Sequence, residues 1–490
     1  MVPELLPRLA AAVALGVVLL ALPARRPPVP PAPPGAVPFE WNQDARWRAL
    51  EARFAAVRTS GCVEAPDEMA LGFDGVGTLL DTLAVNDVAP ADPRLDALEG
   101  AFFALGPVVA ACPSGLRGYV DLSGRLREVI KDQSRHWDAS DLPSRQRLYR
   151  LLYGTRAAVE EAMLQHPDSS LALLAGRDEP SATPSAEVHG VRIHSGDMLV
   201  SRGGYPTSAL IARGNDYPGN FSHVGLVYVD SATSEISVIE AHIEVGVAVT
   251  TAEGYLADKK LRLMVLRPRA DLPALVADPM LPHRAAGRIL ARARSEHIPY
   301  DFAMDYGDPS GLFCSEVAST VYKDEGVTLW MGLSTISRLG IRTWLSELGV
   351  KHFETQEPSD LEYDPQLVVV AEWRDPGALR QDHLDNAVLD AMLEGADQGV
   401  ELTYPWYKLP VVRLAKGYSA VRVLLGGHGP IPEGMSSSSA LRHDTFMTRQ
   451  RTLAAAVQAA ADSTIASQGY PPFYWTLVDL ATRAAQAESP

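Results

Sequence analysis

Three residues in this 490-residue chain have the types and surroundings that covalent acyl chemistry needs: Cys314, His223 and Glu240. Cys314 lies in Gly311-Leu312-Phe313-Cys314-Ser315-Glu316, where a helical pattern begins. Val317, Ala318, Val321 and Tyr322 follow it at helical spacing, so the sulfur falls on the apolar face at the helix N-terminus. Free N–H groups and the helix dipole favour an anion there, and such positions lower a thiol from its usual pKa of about 8.5. The plain alternative is a small buried hydrophobe. His223 opens the strongly apolar run Phe221–Val229, where an imidazole needs a polar partner or a cleft. Glu240 closes the run Ile236–Ala241 and shares a face with Ile236 and Val238. A carboxylate on a packed face needs a cation or hydrogen bonds, and His223 supplies one if the two strands are neighbours. His242 and Glu244 stand close enough in sequence to take Glu240's place. A thiol, an imidazole and a carboxylate that orients it make a nucleophile, a general base and its support. The Cys314 N–H at the helix start is the expected oxyanion donor.

The elements that must carry these residues divide the chain. Strand-type runs lie at Asp197–Ser201, Phe221–Val229, Ile236–Ala241, Val245–Thr250, Leu261–Leu266 and Val368–Trp373, with helical stretches at about 282–296 and 314–325. Short strands separated by turns predict an α+β domain over 190–375, with a small, mostly antiparallel sheet or half-barrel and packed helices. Residues 40–185 read as a helical domain of about five helices, and residues 376–490 as a C-terminal helical region. Residues 1–26 hold the apolar run Leu9–Ala24 between Arg8 and Arg25-Arg26, which reads as a signal peptide or signal anchor. Residues 27–39 are a proline-rich linker of the kind that acts as a semi-rigid spacer. Together they predict an exported chain, periplasmic or held at a membrane facing outward.

Composition narrows the function. The net charge of -16 weighs against a nucleic-acid partner, which asks for a basic face. No phosphate loop, dinucleotide glycine pattern, CxxC pair or HExxH spacing occurs, so no cofactor or metal is called for. The three cysteines split into Cys62 and Cys112 in the first helical region, a candidate disulfide for an exported protein, and Cys314 alone in the α+β domain.

The blocks Gly196-Asp197-Met198-Leu199-Val200, Phe221-Ser222-His223-Val224-Gly225, Glu240-Ala241, Tyr300-Asp301-Phe302 and Phe313-Cys314-Ser315-Glu316, in that order, resemble the circularly permuted papain-like cysteine hydrolases. The closest branch is the YiiX-like one, related to NlpC-type peptidases and to lecithin retinol acyltransferase. The histidine precedes the cysteine here, as permutation requires. The resemblance covers about 190–375 and implies hydrolysis of an amide or ester, or acyl transfer, on a peptide or lipid-linked acyl substrate. It implies a Cys314-His223-Glu240 triad working through a thioester, with Tyr300, Asp197 and Ser222 as substrate-binding positions. Three readings compete: an amidase acting on peptides such as those of the cell wall, a lipid esterase or acyltransferase near the membrane, and a binding or scaffold protein that keeps the fold without turnover. The Leu/Val-rich stretch at about 409–425 fits the second.

Overall fold

The computed structural model describes Gly16, residues 20–329 and residues 333–488. Most of the apolar run Leu9–Ala24 lies outside them, and no helix of the described residues is long and apolar enough to cross a membrane. Residues 27–38 form no helix or strand. They are tied to the body at both ends: Arg26 pairs with Glu401 at 2.5 Å and Glu347 at 3.2 Å, and the Phe39 N–H donates to the Asp216 carbonyl at 2.8 Å.

Five helices come first: α1 (Asp44–Ser60), α2 (Ala65–Ala84), α3 (Pro93–Ala111), α4 (Leu116–Ser134) and α5 (Leu142–Gln165). Their starts are written locally. Asp92 caps α3 and Asp141 caps α5, each accepting a backbone N–H of the first turn, and a proline follows each at the positions that need no donor. The helices bury Phe54, Leu80, Phe102, Tyr119 and Leu152 in one core. Cys62 and Cys112 are joined by a disulfide between the start of α2 and the end of α3, with Cα atoms 5.8 Å apart.

The α+β part follows as β1 (Leu173–Ala175), β2 (Ser185–Val188), β3 (Val191–His194), β4 (Met198–Gly203), α6 (Pro206–Arg213), β5 (His223–Val229), β6 (Ile236–His242), β7 (Gly246–Thr251), α7 (Ala252–Ala257) and β8 (Lys260–Pro268). Then come α8 (Pro273–Ala277), α9 (Leu281–Ser295), α10 (Glu316–Asp324), β9 (Ser334–Thr335), α11 (Leu339–Leu348), β10 (Glu354–Thr355), α12 (Asp360–Tyr363) and β11 (Leu367–Trp373). Seven strands form one antiparallel sheet in the order β1-β11-β8-β4-β5-β6-β7. Alternation along the strands gives the sheet two apolar faces. Val200, Val224, Leu226 and Ile239 face α9 and α10, and Leu199, Val227, Val238 and Val265 make a second cluster behind them.

The C-terminal helices are α13 (Pro376–Asp397), α14 (Leu409–Leu424), α15 (Ser437–Gln468) and α16 (Tyr474–Glu488). α13 packs on β8, α5, α15 and α16. The boundaries read from sequence are softer in space. β1 pairs with β11 across the edge set at 185–190, and Tyr217, Tyr363 and Leu379 sit in the core of the helical region.

A buried ionic cluster fastens the parts together. Glu160 of α5 accepts from Arg262 of β8 at 2.6 and 3.0 Å, and lies 3.3 Å from Arg374 and 3.2 Å from His383 of α13. Arg262 also reaches Asp382, which pairs with Arg202 of β4 at 3.1 Å.

Candidate active site

Adjacent antiparallel strands bring His223 and Glu240 together. Gly225 pairs with Glu240 across β5 and β6, and the same register sets His242 across from His223. Diagonal cross-strand neighbours are within reach of long side chains. His223 Nε2 lies 2.7 Å from Glu240 Oε2, and His242 Nε2 lies 3.2 Å from Glu240 Oε1. One carboxylate thus serves two imidazoles, whose rings stand 5.4 Å apart. Burial alone would raise the Glu240 carboxyl, but the hydrogen bonds from His223 and His242 bring it down to about 2, so it is ionised throughout the neutral range. Glu240 also draws the His242 imidazole upward against the opposing effect of burial. Glu244, the other substitute, is exposed at the turn beyond.

The ligand atoms of His223, Glu240 and His242 lie within 4.8 Å of one another, a donor set that suits a divalent metal. The hydrogen bonds within the set are those of a base held in one orientation. Nε2 of His223 is committed to Glu240, which leaves Nδ1 for proton transfer.

Cys314 sits two residues before α10, on the turn that leads into it, and is buried. Its thiol lies against the stretch of β5 that carries His223. Sγ is 3.8 Å from the Ser222 carbonyl, and the Val224 N–H is directed at it from the other side of His223. No hydrogen bond joins the thiol to the imidazole. Burial pushes the Cys314 thiol up to about 12, and the nearby Glu357 carboxyl adds to that. The Ser315 hydroxyl and the N–H groups of Val224 and Ser315 offset only part of it. A thiol lowered by its helix N-terminus is therefore not what the fold provides: burial outweighs the hydrogen bonds offered to the sulfur. The Cys314 N–H makes no hydrogen bond among the described residues, as expected of a donor held for an oxyanion.

The remaining expected positions separate. Tyr300 is half-buried beside the thiol on a loop stitched to Leu312 by two backbone hydrogen bonds, of 3.1 and 3.3 Å. Ser222 meets Sγ through its carbonyl; its hydroxyl is turned toward β4, 3.5 Å from the Ser201 carbonyl. Asp197 is buried in an ion pair that holds the entry to β4. Both its oxygens are taken by Arg267, at 2.8 and 2.9 Å, and Oδ2 also accepts the His194 N–H at 2.8 Å.

Two acids at the site had no expected role. Glu316 accepts the N–H groups of Gly307 at 2.9 Å and Phe313 at 3.2 Å, which folds the 307–313 loop onto the start of α10. Its position just after Cys314 in the sequence was the available signal. Burial raises its carboxyl to about 7. Glu357 is buried near Cys314 and Tyr300, and burial together with the Asp360 charge raises it to about 8. It comes from a loop without periodicity, so only the fold reveals it. Tyr300 and Glu357 border a cavity of about 100 Å³ whose other walls include Phe302, Ile336, Leu345 and Met435.

Residues 192–371, which contain every member of this arrangement except the flanking helices, match the family model described as permuted papain-like amidase enzyme, YaeF/YiiX, C92 family. No curated protein and no solved structure matches the chain. With its histidine strand ahead of its cysteine helix and an antiparallel sheet between them, the segment 192–371 is similar to the permuted papain-like amidases, a family of cysteine hydrolases.

Proposed function

We propose that the chain cleaves amide bonds through a covalent thioester on Cys314, with His223 as the proton carrier and Glu240 as the group that orients it. The observation that carries this reading is the 2.7 Å contact to Glu240 of β6 made by His223, which lies on the β5 segment whose backbone cradles the Cys314 thiol.

Because the resting sulfur is a thiol, its proton must leave as it attacks. His223 Nδ1 takes that proton while the S–C bond forms at the acyl carbon, and the Cys314 N–H receives the developing oxyanion. The C–N bond then breaks and the proton passes to the departing amine, leaving a thioester. Water attacks the thioester, giving up a proton through His223 to the sulfur, and releases the carboxylic acid and the free thiol. Glu240 stays ionised throughout and stabilises the imidazolium that forms in each half. Peptides of the cell wall are the amide substrates an exported chain would meet.

One observation favours a second reading within the same chemistry. The cavity beside Tyr300 and Glu357 is walled mostly by apolar side chains, which suits the end of an acyl chain better than a polar peptide. The acyl group would then be lipid-linked.

The test is covalent labelling of the whole chain with a peptidyl and a long-chain acyl electrophile, read by mass spectrometry. An adduct on Cys314 that forms at least about 10-fold more slowly in His223→Ala supports the reading. Equal labelling rates in the two proteins would remove His223 from the mechanism. The faster of the two electrophiles decides between peptide and lipid.

A further inference from the structure

The helix α14 turns its apolar side outward. Tyr407, Val411, Leu414, Tyr418, Val421 and Leu425 recur every three or four residues, so they form one row along the helix. All six are exposed, Val411 at 70% and Leu425 at 79%. The inward side is a different set. Leu409 and Ser419 are buried, and Lys416 donates to the carbonyls of Pro432 at 2.7 Å and Glu433 at 2.5 Å. A helix normally buries its apolar row, so a row left outside by a helix already seated on its other side marks a surface that meets something.

The charge around the row identifies the partner's chemistry. Residues 402–432 contain four basic residues (Lys408, Arg413, Lys416 and Arg422) and no Asp or Glu, in a chain of net charge -16. Lys408 and Arg422 flank the row and are exposed, and Trp406 stands exposed at its start. Outward aliphatic side chains, an aromatic at the end and flanking cations are the pattern of a helix lying in a membrane interface. A second copy of the chain fits less well, since two such faces would bring like charges together.

The position of the helix agrees. Arg413 donates to the carbonyl of Leu20 at 2.7 Å, which places the described end of the N-terminal apolar run against α14. The 426–434 loop that follows the helix packs on the rim of the catalytic site. Gly434 lies so close to Phe302 that a Cβ there would come within 2.3 Å of its ring, and Val423 and Ile431 share a small recess with Tyr300 and Ile243.

We infer that the exposed face of α14 docks on an anionic lipid surface, holding the rim of the active site against the membrane. This goes beyond the catalytic reading and does not depend on which acyl group Cys314 takes. The test is hydrogen exchange of the full chain with vesicles of phosphatidylglycerol and phosphatidylcholine, because it separates α14 from the N-terminal run. Exchange across 406–425 is expected to slow by about 5-fold or more, less so as salt is raised. Leu414→Glu/Val421→Glu should lose that slowing while its circular dichroism and melting match the parent, both residues being outside the core. Three results would overturn the inference: slowing confined to the N-terminal residues, equal slowing on phosphatidylcholine alone, or the same slowing on raising protein concentration without vesicles, which would assign the face to a second copy.

Discussion

Two buried carboxylates, one on the sheet and one on a helix packed against it, are stabilised in the same way and serve opposite ends. Glu160 is held ionised by Arg262, Arg156 and Arg374, and Glu240 by His223 and His242. Each is pulled below the ordinary range by its hydrogen-bond partners in spite of burial. The difference lies in the counter-ions: Glu160 has one imidazole neighbour, His383, but is surrounded mainly by guanidinium groups. Guanidinium stays charged at any accessible pH, so the Glu160 cluster is a fixed weld between α5, β8, β11 and α13. Imidazole can take up and release a proton, so the Glu240 cluster is a place where a proton can be parked. A single sheet thus uses buried charge once for cohesion and once for chemistry.

The contrast predicts a double dissociation. Glu240→Gln should lower kcat by about 10²–10⁴-fold, by analogy with other triads that lose the orienting carboxylate, with a smaller loss of stability than the Glu160 variant shows. Glu160→Gln strands several buried guanidinium groups and should cost about 3–5 kcal/mol in denaturant unfolding, with activity per folded molecule retained. If each variant lost both properties equally, the separation of roles would be wrong.

Reducing the Cys62–Cys112 disulfide releases a loop of sequence separation 50, remote from the Glu240 cluster. We expect a loss of about 2–4 kcal/mol from the helical region with no change in Cys314 labelling. A fall in labelling would tie the helices to the site more closely than the contacts suggest.

The last effect is in pH. Glu316 and Glu357 have folded values raised to about 7 and about 8, against 4.5 ordinarily. Raised carboxyls give stability that is complete below about 4.5 and is lost as pH rises through 7 and 8. Glu240, lowered to about 2, works the other way, and its contribution is lost as pH falls from 4.5 toward 2. The denaturant midpoint should therefore decline from about pH 5 to pH 8, and less steeply in Glu357→Gln. An unchanged slope in that variant would show that Glu357 is not titrating.

Much of this was legible before any coordinates. Six strand runs fall within β4, β5, β6, β7, β8 and β11 or overlap them, because alternation and turn residues mark half-buried strands plainly. The order of the histidine and cysteine blocks carried the family. What the chain did not announce was context. The weld at Glu160 joins residues 102 apart to Arg262 and 223 apart to His383, and nothing local in α5 marks that glutamate as buried. The Cys314 thiol followed the same rule: its helix position was readable, but its burial and the approach of the Glu357 carboxyl from a distant loop were not. The partner of Asp197 was hidden for the matching reason, since Arg267 lies 70 residues away. His242 was in view as a substitute for Glu240, yet only the strand register shows it as a second donor to the same carboxylate.

The weld also sets an order of events during synthesis. Arg262 emerges from the ribosome 120 residues before Asp382, and Arg202 emerges earlier still. Until α13 arrives, two guanidinium groups at the heart of the sheet lack Asp382, and β8 awaits its edge partner β11. The buried ion pairs of the catalytic segment are therefore complete only after the chain has passed well beyond the last residue the chemistry uses, so α13 supplies a finishing contact to a sheet whose strands are already made.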